Sequence, residues 1–367
     1  MRKRIAGGVL GAAMLASGLL AGPWMAAAQA AQAAPAGPAP VTESVACNDV
    51  TTLNNDIAAA DLSGTPTIID LASGCVYMLT TAETGLLGGV HGPVGLTPVT
   101  GIGNVTLVGH LTTIERSTAP DTPPFRIAEV YGLGASLTIE GITLRNGFAA
   151  GAPRGPGESG DGGCLLADGG LLTVSPSLLS AVRLVLRDST LENCAASQGG
   201  GIYLASGTAG YLYKTDVLHS TAVTNGGGIY LEPGSTARIG VGYLARNSSS
   251  GNGGAIYSAG QGLTLTESQL FQNSALLEGG GLYSDGTVAT LDGSTLEFNQ
   301  AGTMGGGVSA EGGTTNIRFS VIEANEAGTS GGGIWQGGGT VWMLNSFLGR
   351  NLPENCAPGG AVRGCYL

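Results

Sequence analysis

Glu297 and Glu323 stand 26 residues apart. If the chain repeats with that period, the two fall on adjoining strands with backbones about 4.8 Å apart. Carboxylates near that separation suit retaining glycoside hydrolysis. Nothing nearby supplies a pocket or an orienting base, so solvated turn residues splayed apart are favoured over a catalytic pair. Asp292 and Arg318 share the interval and read as a cross-coil surface ion pair, which is worth little. The stretch Gly157-Glu158-Ser159-Gly160-Asp161-Gly162 has carboxylates but lacks the repeated Gly-Gly-x-Gly-x-Asp spacing of calcium β-rolls, so it reads as a loop insertion. His91, His110 and His219 share no column and are expected to be isolated surface or turn residues. No cofactor or metal site is expected.

A row of rings is the other chemical signal. Tyr203, Tyr230, Tyr257, Tyr283 and Trp335 each follow an aliphatic residue, and Ser309 interrupts them. Alternation along a strand puts this column outside. Outward rings could stack on sugars or anchor a partner, whereas a ladder that merely shields the sheet is the simpler reading and is favoured.

These residues owe their spacing to a repeat. Glycine clusters recur at Gly226-Gly227-Gly228, Gly253-Gly254-Ala255, Gly279-Gly280-Gly281, Gly305-Gly306-Gly307 and Gly331-Gly332-Gly333. A turn column follows them at Asn193, Ser220, Asn247, Asn273, Asn299, Asn325 and Asn351, its last five members 26 residues apart. Such a fixed period denotes stacked coils. Twenty-six residues hold three strands of about five residues and three turns. Leu263 and Leu265 point inward and Thr264 and Thr266 outward, and the column Ile202, Ile229, Ile256, Leu282, Val308, Ile334 fills the core. Stacked asparagines, each both donor and acceptor, bond to one another and to turn backbone. The expected fold is all-β, a parallel β-helix of about ten coils by this spacing, with a short capping helix begun by Asn48-Asp49 and carrying Val50, Leu53 and Ile57 on one face.

The clusters, together with Leu270-Phe271-Gln272-Asn273-Ser274-Ala275, resemble the repeat of polymorphic outer-membrane-protein-like β-helices of secreted and surface bacterial proteins. The resemblance is strong over 199–351 and weaker over 46–148. It implies the pectin-lyase-like right-handed parallel β-helix fold but guides activity poorly. The polygalacturonase-type motifs Asn-Thr-Asp, Asp-Asp, Gly-His-Gly and Arg-Ile-Lys are absent; Lys214-Thr215-Asp216 and Gly109-His110-Leu111 are partial echoes.

Composition agrees with such a stack. Of 367 residues, 66 are glycine and 11% are charged, against roughly 25% charged in an ordinary domain. The formal charge is −11, which disfavours nucleic acid and anionic membrane as partners. Residues 1–30 read as a signal peptide, with Arg2, Lys3 and Arg4 before an apolar stretch and Ala28-Gln29-Ala30 as one of several possible cleavage sites; no later stretch is apolar enough to span a membrane. Residues 31–45 read as an Ala/Pro-rich linker and 46–367 as the β-helix domain: cap and first coil in 46–98, irregular coils with insertions in 99–198, regular coils in 199–351, and a disulfide-closed end in 352–367. Six cysteines in an exported chain suggest disulfides. Sequence alone permits about 15 connectivities, and the neighbour pairing of Cys47 with Cys75, Cys164 with Cys194 and Cys356 with Cys365 is expected. The expectation from these features is a secreted, non-catalytic module, extracellular or held at the cell surface, that serves adhesion or carbohydrate contact, with extracellular polysaccharide or a cell-surface protein as its partner; the alternative is a diverged polysaccharide lyase or glycoside hydrolase. Specific activity is expected where the period breaks, in 149–162 and 172–181, or on the Tyr stripe.

Overall fold

A computed structural model describes residues 39–83, 91–151, 160–170 and 181–365. Residues 1–30, read above as a signal peptide, and most of the stretches 31–45, 149–162 and 172–181, read as a linker and two insertions, lie outside the described residues. Pro40–Leu367 form one compact unit, a parallel β-solenoid of about 11 turns with one helix near its N-terminus.

A regular coil holds four short strands rather than three, for example Ile256–Ser258, Gly262–Thr266, Gln269–Phe271 and Ser274–Ala275. The extra corner falls between the second and third strands, where Glu267 takes a left-handed φ of 49°. Each strand pairs in parallel with its counterpart one period on, as in Leu263 with Ala289 and Leu270 with Leu296. Inward residues merge into one core running from Val45 to Val362. Every buried aliphatic side chain there contributes roughly 1.5–3 kcal/mol relative to exposure.

Helix α1 (Val50–Ser63) closes the N-terminal end. Asp49 caps it by accepting from Thr52 N at 3.0 Å, and Gly64 ends it at φ 62°. Its buried face carries Leu53, Ile57 and Ala60, while Asp61 accepts from Thr100 N at 2.6 Å and Thr100 Oγ1 at 2.7 Å. Two boundaries differ from expectation. Val41–Val45, assigned above to the linker, forms a strand beside Thr67–Leu71, because Val45 enters the core and the open backbone edge of that strand needs partners. Phe125-Arg126-Ile127 reads as a strand by its apolar alternation, but the strand forms just after it, at Ala128–Tyr131.

Asparagine amides hold the coils in register. Asn273 Oδ1 accepts from Asn247 N at 2.9 Å and Asn247 Nδ2 at 3.0 Å, and Asn273 Nδ2 donates to Leu244 O and to Asn299 Oδ1, both at 2.9 Å. The pattern repeats through Asn299, Asn325 and Asn351. Ser220 N donates to Asn247 Oδ1 at one end, and Asn355, not foreseen in sequence, accepts from Asn351 Nδ2 at 2.9 Å at the other. A serine ladder runs beside it, with Ser268 N on Ser294 Oγ at 3.2 Å and Ser294 N on Ser320 Oγ at 3.1 Å.

Asn193 does not belong to this ladder. Strand pairing aligns Glu192 with Leu218 and Ala245, so Cys194 occupies the ladder position and Asn193 is exposed one place earlier. That earlier column is left-handed throughout: Asn193, His219, Arg246, Gln272, Phe298, Ala324 and Arg350 have φ between 51° and 55°. Asn is itself favoured in that conformation, which explains the coincidence of type.

Cys47–Cys75, Cys164–Cys194 and Cys356–Cys365 are disulfides, and no described cysteine is free. Cys164 and Cys194 stand where later coils place the third cluster glycine and the ladder asparagine, which pack together as Gly281 and Asn299 do. The second disulfide thus crosses one coil along the path the amides take later.

Candidate functional site

The outward residues of the solenoid fall into rows along its axis. On the longest sheet, register aligns Val185, Tyr211, Arg238, Thr264, Thr290, Asn316 and Trp342. Arg363 extends the row by a bridge beside Trp342. Thr264 was expected outward, and walking the period from it reaches every other member; the row was nonetheless not singled out in sequence, because its residue types do not repeat.

Both ends of this row carry a ring and a cation. Arg183 lies 5.1 Å and Arg238 6.0 Å from the Tyr211 ring centre, and Arg363 lies 4.3 Å from that of Trp342. A shallow cavity of about 360 Å³ surrounds Arg183, Tyr211, Arg238 and Thr264. A second of about 590 Å³ is lined by Thr290, Asn316, Arg318, Trp342, Met343 and Leu344. Trp342 is 45% exposed. The arrangement offers flat apolar surface, hydroxyl and amide hydrogen-bonding groups, and guanidinium donors in one open line.

The Tyr column expected outside behaves differently. Ring centres of Tyr203, Tyr230, Tyr257 and Tyr283 are 4.9, 4.7 and 5.0 Å apart, at interplanar angles of 0°, 2° and 16°. The rings therefore cover one another, and the middle ones have no free faces. Tyr203 is only 1% exposed; Leu166 and Tyr230 flank it in register, and its hydroxyl donates to Glu232, which also accepts from Ser206 N at 3.0 Å. Burial raises the pKa of every phenol in this column, Tyr203 most strongly, and burial likewise raises that of Glu232. Ser309 is buried, its hydroxyl 2.9 Å from Glu278 Oε2, and Trp335 Nε1 donates to Glu311 Oε1 at 2.8 Å. Burial raises the Glu278 pKa, with nearby Glu311 adding to the effect.

Glu297 and Glu323 are paired in register, both half-buried. Arg350 Nε lies 2.9 Å from Glu323 Oε1, and neither glutamate lines the two cavities above. Asp292 and Arg318 form the expected ion pair, at 2.9 Å.

His91 is not isolated. Its Nδ1 makes a short contact with Glu129 Oε1, its Nε2 lies 3.0 Å from Asp168 Oδ2, and Tyr131 packs edge-on at 5.1 Å. The fully buried Arg126 donates to Glu129 Oε2 at 2.8 Å and to the carbonyls of His91 and Asp161. Burial pulls the imidazole pKa down, but hydrogen bonds to Asp168 and Glu129 outweigh it and hold the value up at about 9. The result is an imidazolium clamped between two carboxylates. Its partners come from irregular coils, Glu129 being 38 residues from His91, so the 26-residue columns did not reveal it. His110 and His219 are exposed. Among the described residues, no group of three or more His, Cys, Asp or Glu could hold a metal ion, and no helix is long and apolar enough to cross a membrane.

Fold and surface define the chain as a disulfide-bonded parallel β-solenoid. The family described as Chlamydia polymorphic membrane protein repeat matches residues 243–259. No curated protein matches the chain. Among solved structures, the A-module of mannuronan C-5 epimerase AlgE6 from Azotobacter vinelandii is similar, with 14% identity, a TM-score of 0.46, and coverage of 85% of this chain and 76% of that one.

Proposed function

We propose that this protein is an extracellular binding module that lays a polysaccharide along the row from Tyr211 to Trp342. The observation that carries this reading is the row itself: an aromatic at each end, with Thr264, Thr290 and Asn316 between them on an open sheet face. From Tyr211 to Trp342 there are five coil steps, or about 24 Å at strand spacing, a length matched to several linked sugars rather than to one small molecule. Three disulfides fit an oxidising compartment, and residues 1–30 read as the export signal. In this reading the Tyr203–Trp335 column and the asparagine ladder are scaffold, and Glu297 and Glu323 are not catalytic. The test is binding of the full oxidised chain to a broad panel of neutral and acidic polysaccharides. Trp342→Ala and Asn316→Ala are expected to weaken the best ligand about tenfold, as loss of a contact worth roughly 1.4 kcal/mol would. A panel that yields no ligand, or variants that bind as wild type, would end the proposal.

A further inference from the structure

Among the described residues, the unpaired cations are concentrated at the rings of that same row. Arg126, Arg145, Arg187, Arg318 and Arg350 each face a carboxylate. Arg116 donates to backbone carbonyls, and Arg246 to Gln272. Among the described arginines this leaves Arg183, Arg238 and Arg363, and each of the three lies over Tyr211 or Trp342. In a chain of formal charge −11 with only 15 Lys and Arg, partners for a cation are plentiful, so three that lack one on a single sheet face call for an explanation. All three are exposed. A guanidinium over a ring is held in place through its face while the N–H groups around its edge stay available for a bidentate acceptor.

We propose that Arg183, Arg238 and Arg363 read the carboxylate or sulfate groups of an acidic polysaccharide, with the neutral floor of Thr264, Thr290 and Asn316 spanning the sugars between the charged ends. This rests on the polysaccharide reading of the row and narrows it to anionic polymers. Arg183 and Arg238 bracket Tyr211 from different coils, so two anionic groups, or one group held from both sides, fit that end. Arg363 serves the other end, where the backbone of Val341 and Met343 and the Cys356–Cys365 disulfide fix its position.

The experiment compares the full oxidised chain on a polyuronate, the same polymer with its carboxyls reduced, a sulfated glycan and a single-stranded oligonucleotide, at low and high salt. The polyuronate or the sulfated glycan is expected to bind at least about tenfold tighter than the reduced polymer, the scale of one hydrogen-bonded charge, and the preference should shrink at high salt. Whichever of the two binds tighter identifies the anion. Arg183→Gln, Arg238→Gln and Arg363→Gln should each weaken the charged polymer more than the reduced one and so narrow that preference, whereas Trp342→Ala should weaken both alike. These side chains are exposed, so an unchanged urea midpoint verifies folding. Equal affinity for charged and reduced polymers overturns this inference and leaves the polysaccharide reading standing; no binding to any glycan removes both. Oligonucleotide binding as tight as that of the best glycan also overturns it.

Discussion

Asn299→Ala tests whether the amide ladder holds the coils together. The side chain makes four hydrogen bonds: Oδ1 accepts from Asn273 N at 3.0 Å and Asn273 Nδ2 at 2.9 Å, and Nδ2 donates to Leu270 O and Asn325 Oδ1, both at 2.9 Å. The residue is fully buried, so water does not replace them. At roughly 1 kcal/mol for each bond lost, and more where a donor is left orphaned, the cost is about 4 kcal/mol or above. Asn299→Asp separates hydrogen bonding from packing. Its carboxylate still accepts from Asn273 but faces Leu270 O and Asn325 Oδ1 with no hydrogen to give, so it should cost at least as much as alanine. Asn355→Ala, half-buried at the end of the ladder, forfeits the two bonds from Asn351 and should cost about 2 kcal/mol or less. Urea unfolding by circular dichroism gives the global loss. Amide exchange over 270–325 gives the local one, which matters because stacked coils need not unfold as one unit. An Asn299→Ala cost below about 1 kcal/mol, or a tolerated Asn299→Asp, would refute the reasoning.

Two further outcomes follow from the same geometry. The folded pKa of His91, about 9, lies above its ordinary 6.5, so the stability it contributes is complete below pH 6.5, declines as pH rises towards 9 and is gone above that; the urea-midpoint gap between wild type and His91→Gln should be widest in mild acid and close by pH 9, and a gap independent of pH would show that the clamp is not electrostatic. Val241, β-branched, at φ 54° and 42% exposed, is strained in a left-handed turn, so Val241→Gly should raise stability by about 0.5–1 kcal/mol despite the freer unfolded chain, and a lowered midpoint would contradict that.

The fold was legible because one period repeats in several columns at once: glycines where a Cβ would strike the next coil, as at Gly280 against Gly306 O, and asparagines whose two-sided amides satisfy one another. Identical rings one strand spacing apart lie face to face, as Tyr203 to Tyr283 do, in keeping with the ladder favoured in sequence over a sugar-stacking stripe. The misplacement of Asn193 had a local origin. Left-handed turn and ladder positions are adjacent and both favour asparagine, so residue type alone did not separate them, and only the pairing of Glu192 with Leu218 did. The His91 clamp was illegible for another reason: its members are brought together by irregular coils, whose longer spacing falls outside the 26-residue columns.

That contrast between periodic and aperiodic positions bears on where recognition can sit. A ladder works by repetition, and its polar atoms are spent on the next coil: Asn273 uses both Nδ2 hydrogens and its Oδ1 within the stack. A ligand would have to break those bonds to use them. The row from Tyr211 to Trp342 has the opposite character. Neighbouring members differ in type apart from Thr264 and Thr290, their backbone bonds are already made by the sheet, and their side chains are not needed to close the coil. Arg238 can be exchanged without exposing core or opening a strand pair, because the inward Ala237 and Ile239 beside it stay buried. A solenoid thus divides the labour within each strand, with inward and turn positions confined by the coil above and below and outward ones free to present distinct chemistry, coil by coil, to an extended polymer lying along the axis.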